Sequence, residues 1–597
     1  MIFNTEYKRK ILLQNNKRNL KLLFIFILFF IFLIFLFFWK IQVIDYKKYF
    51  LAAQRNIIRV ERISPLRGLI RDSKSNIIAE NRLSFDLIIP KENMISSKRK
   101  NTEKEIKEIL NLLKKGDKYE LKNMGTYYLV KEDIPLNIAN FIFSNRREFR
   151  YVSIRVSPRR LYPLGESCSS FLGYIGEANL NEIKKFGLKT GDFVGKYGLE
   201  RYYENELKGK AGYKVKVVNN LNILERVVKE VPPVAGKTLE LSINLKLQKK
   251  VEEFMKEKNL IGSTIVLNPK NGEILSLVTT PLFNPNLFTS YFSKKDWDKL
   301  ISTEGKPLIN KAISGLYPAG SIFKLVVGLA GLEEGFINEH TIVNCYGYKE
   351  IYNKIFHCWN AAGHGPMNLA RAIEQSCDVY FYVLGKNLKV DLIEKYAKML
   401  GLGKYTGIDL VGEKSGLVPS KEWKLRRFHI KWFPGETISV AIGQGPLLVT
   451  PIQIAQLFSI IANRGFYFSP HLLKSKKGKE IVVKIKKENF EKIIKGMRLV
   501  VNGEKGTGRL AKIEGINVCG KTSTVQVISK ETLKTKVKNK KDRRWLHHAW
   551  FGAFAPCEAP EIVVVSMLEH AGGGGEVAAP LVRKVMKYYF NNIREKR

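Results

Sequence analysis

Ser321 and Lys324 stand three residues apart in the segment YPAGSIFKLVVGLAGLEEG and have the makings of a nucleophile and its base. A serine hydroxyl is a poor nucleophile at neutral pH and needs a base within hydrogen-bond reach. Three residues along a helix is about one turn, so the two side chains share a face. Pro318, Ala319 and Gly320 read as a helix entry, which puts Ser321 in the first turn. There its backbone N–H has no intrahelical partner, and the positive end of the dipole favours developing negative charge. One helix start thus offers a nucleophile, a base and half of an oxyanion hole.

Two further segments supply matching groups. Ser376-Cys377-Asp378, in IEQSCDVYFYVLG, places a second hydroxyl on a short helix or loop. Lys521-Thr522-Ser523-Thr524, in INVCGKTSTVQV, follows a β-branched run that reads as a strand at the edge of a cleft. The order S-x-x-K, S-x-[ND], K-T-G is the signature of penicillin-binding proteins and serine β-lactamases. The chain resembles that superfamily through further landmarks: VLNPKNGEILSLV from Val266, NKAISGLYPAGSIFK from Asn310, SVAIGQGPLLVTPIQIAQ from Ser439 and HHAWFGAFAP from His547. Together they cover most of the chain from about Leu239 onward.

The resemblance implies an α/β (α+β) transpeptidase fold, with an antiparallel sheet between helices and a helical subdomain. It implies acyl transfer onto Ser321 from the terminal D-Ala-D-Ala of a peptidoglycan stem peptide, with β-lactams as mimics of that dipeptide. Lys324 is then the base, and Ser376 relays a proton between Lys324, Lys521 and the leaving amine. Lys521 and Thr522 hold the terminal carboxylate, and the N–H groups of Ser321 and Thr524 form the oxyanion hole. No cofactor is needed for this catalysis. Two positions depart from the pattern. Asp378 replaces an Asn that donates an amide to substrate in many relatives, although Asp is familiar in the penicillin-binding protein 2 group. Ser523 stands where Gly is usual, and its Cβ and hydroxyl are expected to narrow the cleft.

Six cysteines are few for an exported chain that relies on disulfides. Cys345, Cys358, His364 and Cys377 follow the pattern C-x12-C-x5-H-x12-C, and Cys377 is the middle residue of the second motif. Three thiolates and an imidazole are a common tetrahedral zinc set. Some members of the penicillin-binding protein 2 group carry a metal here, with which His364 and Cys377 align and in which Cys345 and Cys358 replace acids. Such a zinc is structural, because four protein ligands leave no open position. A Cys345–Cys358 disulfide and three inert buried thiols are the competing readings, and His357 is the rival imidazole. Cys168, Cys519 and Cys557 are expected to have packing roles, and His547 and His548 structural ones.

These groups need a scaffold outside the cytoplasm. Leu22 to Trp39 is an unbroken apolar run, about 27 Å long as a helix and close to the thickness of a bilayer core. Lys8, Arg9, Lys10, Lys17, Arg18 and Lys21 precede it and keep residues 1–21 in the cytoplasm. A cleavable signal is the alternative, but Trp39-Lys40-Ile41-Gln42 follows in place of a small-x-small site. The expected division is a cytoplasmic tail at 1–21, a membrane helix at 22–39, a pedestal at 40–235 and a transpeptidase domain at 236–597. Pro232-Pro233 marks the last junction.

Within the pedestal, RGLIRD from Arg67, SPRRLYPLGE from Ser157, GYIGE from Gly173 and VGKYGLERYYENELKGKAG from Val194 resemble the N-terminal module of class B penicillin-binding proteins. The last run is most similar to the elongation-type penicillin-binding protein 2 group. The arginines and glycines there are expected to shape turns and salt bridges. Lys98 to Lys122 reads as a charged, helix-prone, solvated insertion.

The net charge of +44, from 100 Lys and Arg against 56 Asp and Glu, is spread along the chain and lacks a base-reading motif. With export, this excludes nucleic acid and leaves attraction to anionic lipid and wall polymers. The resemblance implies a RodA-type glycosyltransferase and other elongation-complex proteins as partners. A division-type transpeptidase, a membrane-bound β-lactamase and a non-catalytic penicillin-binding scaffold or sensor are the rival functions.

Overall fold

The computed structural model describes residues 3–50, 58–94, 96–113, 119, 121–124, 127–218, 224–289, 292, 294–526 and 543–594. Contacts divide the chain into two units, Met1–Pro65 with Lys210–Val234, and Leu66–Gly209 with Ala235–Arg597.

In the first unit, one helix spans Phe3–Trp39 and contains the apolar run. The stretch Arg18–Ile44 is long and apolar enough to cross a membrane, and its large side chains from Leu22 to Trp39 are exposed. A helix suits that setting because it satisfies its own backbone groups. Strands Ile58–Ile63, Gly212–Val218 and Leu224–Val231 form an antiparallel sheet with the second strand in the middle.

The part of the second unit that precedes residue 210 is built on the long strand Ile77–Pro90, which pairs antiparallel with Ser153–Leu161. The helix Ser96–Leu112 corrects the expectation of a solvated insertion. It buries Thr102, Glu105, Ile106, Ile109 and Leu110 at helical spacing, and the three apolar residues join a core with Leu87, Ile89 and Phe149. Glu105 accepts hydrogen bonds from the N–H groups of Arg150, Tyr151 and Val152. Residues 114–118 and 120 of that stretch lie outside the described residues. The arginines do form salt bridges: Arg67 reaches Glu200 and Glu204 at 2.6 Å, and Arg160 reaches Glu200 at 2.7 Å. Charges this buried persist only when paired.

The remainder is built around five antiparallel strands: β1 Ile261–Leu267, β2 Ile274–Thr280, β3 Cys519–Val525, β4 His548–Ala555 and β5 Ile562–Glu569. Their order is β2-β1-β5-β4-β3, so the stretch that reads as a strand in the sequence is β3, at the edge of the sheet. Strands β1, β5 and β4 are buried along nearly their whole length, which requires cover on both faces. The helices Pro451–Ala462 and Ala579–Tyr588 both pack on this sheet.

Four helices carry or support the motifs: α1 Lys324–Glu333, α2 Leu369–Glu374, α3 Asp378–Met399 and α4 Lys487–Asn502. Helix α1 is apolar on all sides, with Lys324 through Leu332 buried, as befits a central helix. Helix α3 packs on α1, and α4 packs on α2 and β3. The three motifs thereby meet at one place.

Candidate active site

Ser321 lies in a 3-10 turn, Gly320–Ile322, that runs into α1, so the nucleophile precedes the α-helix. Gly320 has φ 53°, and a Cβ there would lie 2.3 Å from Ser523 Oγ. Only glycine suits both the left-handed backbone and the contact. The Gly320 N–H donates to the Gly443 carbonyl at 2.9 Å, and the turn packs against β3. Lys324 follows Ser321 by one turn and is 0% exposed.

Ser376 and Cys377 link α2 to α3. Ser376 is left-handed at φ 55°, an uncommon conformation for a residue with a side chain and one that clusters at functional sites. Cys377 is the N-cap position of α3, and Asp378 begins the helix. Lys324 Nζ donates to the Ser376 carbonyl at 2.8 Å, to Asp378 Oδ1 at 2.7 Å and to Ser376 Oγ at 3.3 Å. These three acceptors match the three donors of an ammonium group. From the sheet side, Lys521 Nζ lies 2.9 Å from Ser376 Oγ and donates to the Thr522 carbonyl at 3.1 Å. Lys521 is also 0% exposed. Burial first, and then the neighbouring Lys324 charge, push its pKa well below the ordinary lysine value, with Asp378 opposing. One serine hydroxyl is thus held between two buried amines.

Residues 262–587 match the family described as the penicillin binding protein transpeptidase domain, and residues 62–241 match the penicillin-binding protein dimerisation domain. Over 588 residues the chain is 34% identical to the peptidoglycan D,D-transpeptidase MrdA of Haemophilus influenzae, covering 93% of this chain and 88% of that protein. The chain belongs to the penicillin-binding protein transpeptidase family. A solved complex of penicillin-binding protein PBP2 with MreC from Helicobacter pylori superposes with TM-score 0.81 at 31% identity, covering 90% of this chain and all of that one. A structure concerning polymerization and crosslinking by a peptidoglycan synthase complex gives TM-score 0.72 at 30% identity, covering 97% of this chain and 99% of that one.

Against the family pattern, two expectations change. Asp378, expected beside substrate, instead spends one carboxylate oxygen on Lys324 and the other on the Trp359 N–H at 2.9 Å. Ser523 does not narrow the cleft. It is 2% exposed, and its hydroxyl donates to the Ala319 carbonyl at 3.0 Å beneath the nucleophile turn. Alternation along β3 turns Thr522 and Thr524 to the opposite face. There Thr522 Oγ1 lies 2.7 Å from Thr507 Oγ1, and Thr524 Oγ1 accepts from the Gly574 N–H at 3.0 Å.

Sequence reading missed Thr507, Trp359 and one covalent link. The Trp359 indole Nε1 donates to the Ser376 carbonyl at 3.1 Å, so it braces the second motif. A disulfide joins Cys519 to Cys557, which corrects the expectation that both only pack. Sheet pairing brings the end of β4 beside the start of β3, so residues 38 apart meet with Cα atoms 5.4 Å apart. Cys168 is a buried free thiol.

The ligand atoms of Cys345, Cys358, His364 and Cys377 lie within 4.8 Å of one another. His364 Nδ1 is 3.5 Å from both Cys345 Sγ and Cys358 Sγ. A tetrahedral zinc with sulfur at about 2.3 Å and nitrogen at about 2.0 Å sets that edge at about 3.5 Å, so the residues fit the metal. The Cys358 thiol is pushed down by its hydrogen bonds with Cys377 and His364, and Cys377 is pushed up by the same bond to Cys358. The thiols of Cys345 and Cys358 are free, against the disulfide reading. His357 is exposed and stands outside the cluster.

Proposed function

We propose that the chain is an elongation-type peptidoglycan D,D-transpeptidase that crosslinks stem peptides through an acyl-Ser321 intermediate. The observation that carries this reading is the Ser376 hydroxyl poised between Lys521 and Lys324, the latter one turn after Ser321 in the chain. The surroundings of Lys521 favour its neutral form. Ser376 passes its proton to Lys521 and takes one from Lys324. Lys324, now neutral, accepts the Ser321 proton as the hydroxyl attacks the penultimate D-Ala carbonyl. The N–H groups of Ser321 and Thr524 receive the oxyanion. The proton returns along the same chain to the departing D-Ala amine, and the amine of a second stem peptide then takes the acyl group. The substrate's terminal carboxylate sits against Thr522 and Thr524, with Lys521 nearby and cationic once it has taken the Ser376 proton.

The four-ligand cluster fits a structural zinc. Cys345, Cys358, His364 and Cys377 would hold it, and it would supply a tether between the loop after α1 and the second motif. The division at 40–235 and 236–597, the single-pass anchor with its N-terminus in the cytoplasm, and MreC-like and RodA-type partners belong to the same reading. The Cys519–Cys557 bond supports an extracytoplasmic catalytic unit, since disulfides persist in oxidising compartments.

The test is intact-mass spectrometry after benzylpenicillin, with peptide mapping. A long-lived adduct on Ser321, absent in Ser321→Ala, is the expected result. Rapid turnover without an adduct would show a β-lactamase, and a Ser321→Ala chain that complements depletion would show a scaffold.

A further inference from the structure

Thr507 belongs to none of the three motifs, yet it touches the third and the segment that leads into the second. It sits between Gly506 and Gly508 in the turn that leaves α4. A Cβ on Gly506 would meet the Val500 carbonyl at 2.3 Å, and one on Gly508 would meet the Phe551 ring at 2.9 Å. This tight packing fixes where the threonine stands. Its N–H and its hydroxyl both reach the Glu374 carbonyl at 3.3 Å, two residues before Ser376. Its Oγ1 also lies 2.7 Å from Thr522 Oγ1 in the third motif.

A hydroxyl has one proton to give and two lone pairs to receive. The pair therefore has two arrangements. In one, Thr522 donates to Thr507, which donates to Glu374. In the other, Thr507 donates to Thr522, whose own proton is then free to point outward. An ionised carboxylate only accepts hydrogen bonds, so it selects the second arrangement. The switch is inexpensive, because the Thr507 N–H still serves the Glu374 carbonyl when the hydroxyl turns away. Two residues along the same face, the Gly574 N–H gives Thr524 the same service by occupying a lone pair and leaving its proton free.

We infer that Thr507 is a positioning residue that supplies a hydrogen bond to Thr522, so that the Thr522 and Thr524 hydroxyls together donate to the terminal carboxylate of the substrate. The inference rests on the acyl-transfer reading and adds a residue that sets which anion end the cleft accepts. Chains of hydrogen bonds strengthen one another, so the loss should fall on binding of the carboxylate.

The experiment compares benzylpenicillin with its C3 methyl ester, which lacks the carboxylate, on the full-length protein. Acylation is followed by mass, and the pre-acylation constant is separated from the acylation rate. Thr507→Val should weaken benzylpenicillin binding by about five- to tenfold, the size expected for the loss of one hydrogen bond between neutral groups. Its acylation rate and the overall reaction with the ester should stay within about twofold of the parent, and Thr507→Ser should restore binding. Equal losses with acid and ester, no loss with either, or no rescue by serine would overturn the inference while leaving acyl transfer intact. A parent protein that takes up neither compound on Ser321 would overturn acyl transfer and the inference with it.

Discussion

Lys324 and Lys521 share one hydroxyl but have different surroundings, and the difference sets the pH behaviour. Lys521 is buried beside another amine, so its pKa is depressed and its neutral form is favoured. If the neutral Lys521 amine starts the proton transfers, acylation rises as pH climbs through that depressed pKa and levels off above it. The ascending limb of the acylation rate against pH should therefore lie below the ordinary lysine value of about 10.4. His548 is the competing imidazole for such a limb, but burial, with His570 and His547 beside it, holds its pKa down at about 4. It is neutral across the working range, so His548→Gln should leave the limb where it is. A limb that moves with His548→Gln would assign it to the wrong group. Asp378 has a different test. Asp378→Asn restores the commoner family residue but leaves the Lys324 ammonium without its carboxylate. Breaking a buried pair from one side costs about 3–5 kcal/mol, so a loss of unfolding free energy at the lower end of that range, read as a lower denaturation midpoint, is expected. An unchanged midpoint would mean that the pair contributes nothing net.

Segments explain which of these contacts were readable beforehand. Ser321 and Lys324 are one turn apart on one stretch of chain, and the β-branched run before Lys521 marks β3 as a strand, but its place at the edge of the sheet comes only from the strand order. The zinc-type ligand set was legible as residue types, because cysteine and histidine side chains are rare enough to stand out. Asp378 with Lys324, Thr507 with Thr522, and Cys519 with Cys557 all depend on how α1, α3, α4 and β3 come together. Local spacing carries no information about that. The burial of Ile106, Ile109 and Leu110 was masked by the lysines around them, though their helical spacing was there to be counted. Two elements carry their own tests. The disulfide closes a loop with a separation of 38 residues, and Cys519→Ser with Cys557→Ser should cost about 2–4 kcal/mol by denaturant unfolding. Cooperative unfolding at the parental midpoint would rule out a stabilising link. Metal analysis of the purified chain should find stoichiometric zinc. Chelation should slow penicillin acylation through the Ser376 segment, because Cys377 is adjacent to Ser376, and Cys358→Ser should act like chelation.

At the scale of the whole molecule, the catalytic groups all lie in the unit made of Leu66–Gly209 and Ala235–Arg597, while the apolar helix lies in the other. The helix is long enough to span a bilayer, and six basic residues precede its apolar run. Lysine and arginine resist translocation, which supports the proposed cytoplasmic N-terminus. The disulfide beside Lys521 independently calls for an oxidising compartment around the catalytic unit. Both arguments support the proposed orientation from unrelated chemistry. Protease added to spheroplasts should therefore digest the catalytic unit and leave a short N-terminal fragment in the membrane, whereas full protection would reverse the topology. The same placement puts the cleft where wall precursors are joined, and an elongation enzyme there must act along the side wall. Depletion should turn rods into round cells as side-wall crosslinking stops. Filaments would instead assign the enzyme to division, because cells that lengthen without dividing have kept their side-wall synthesis.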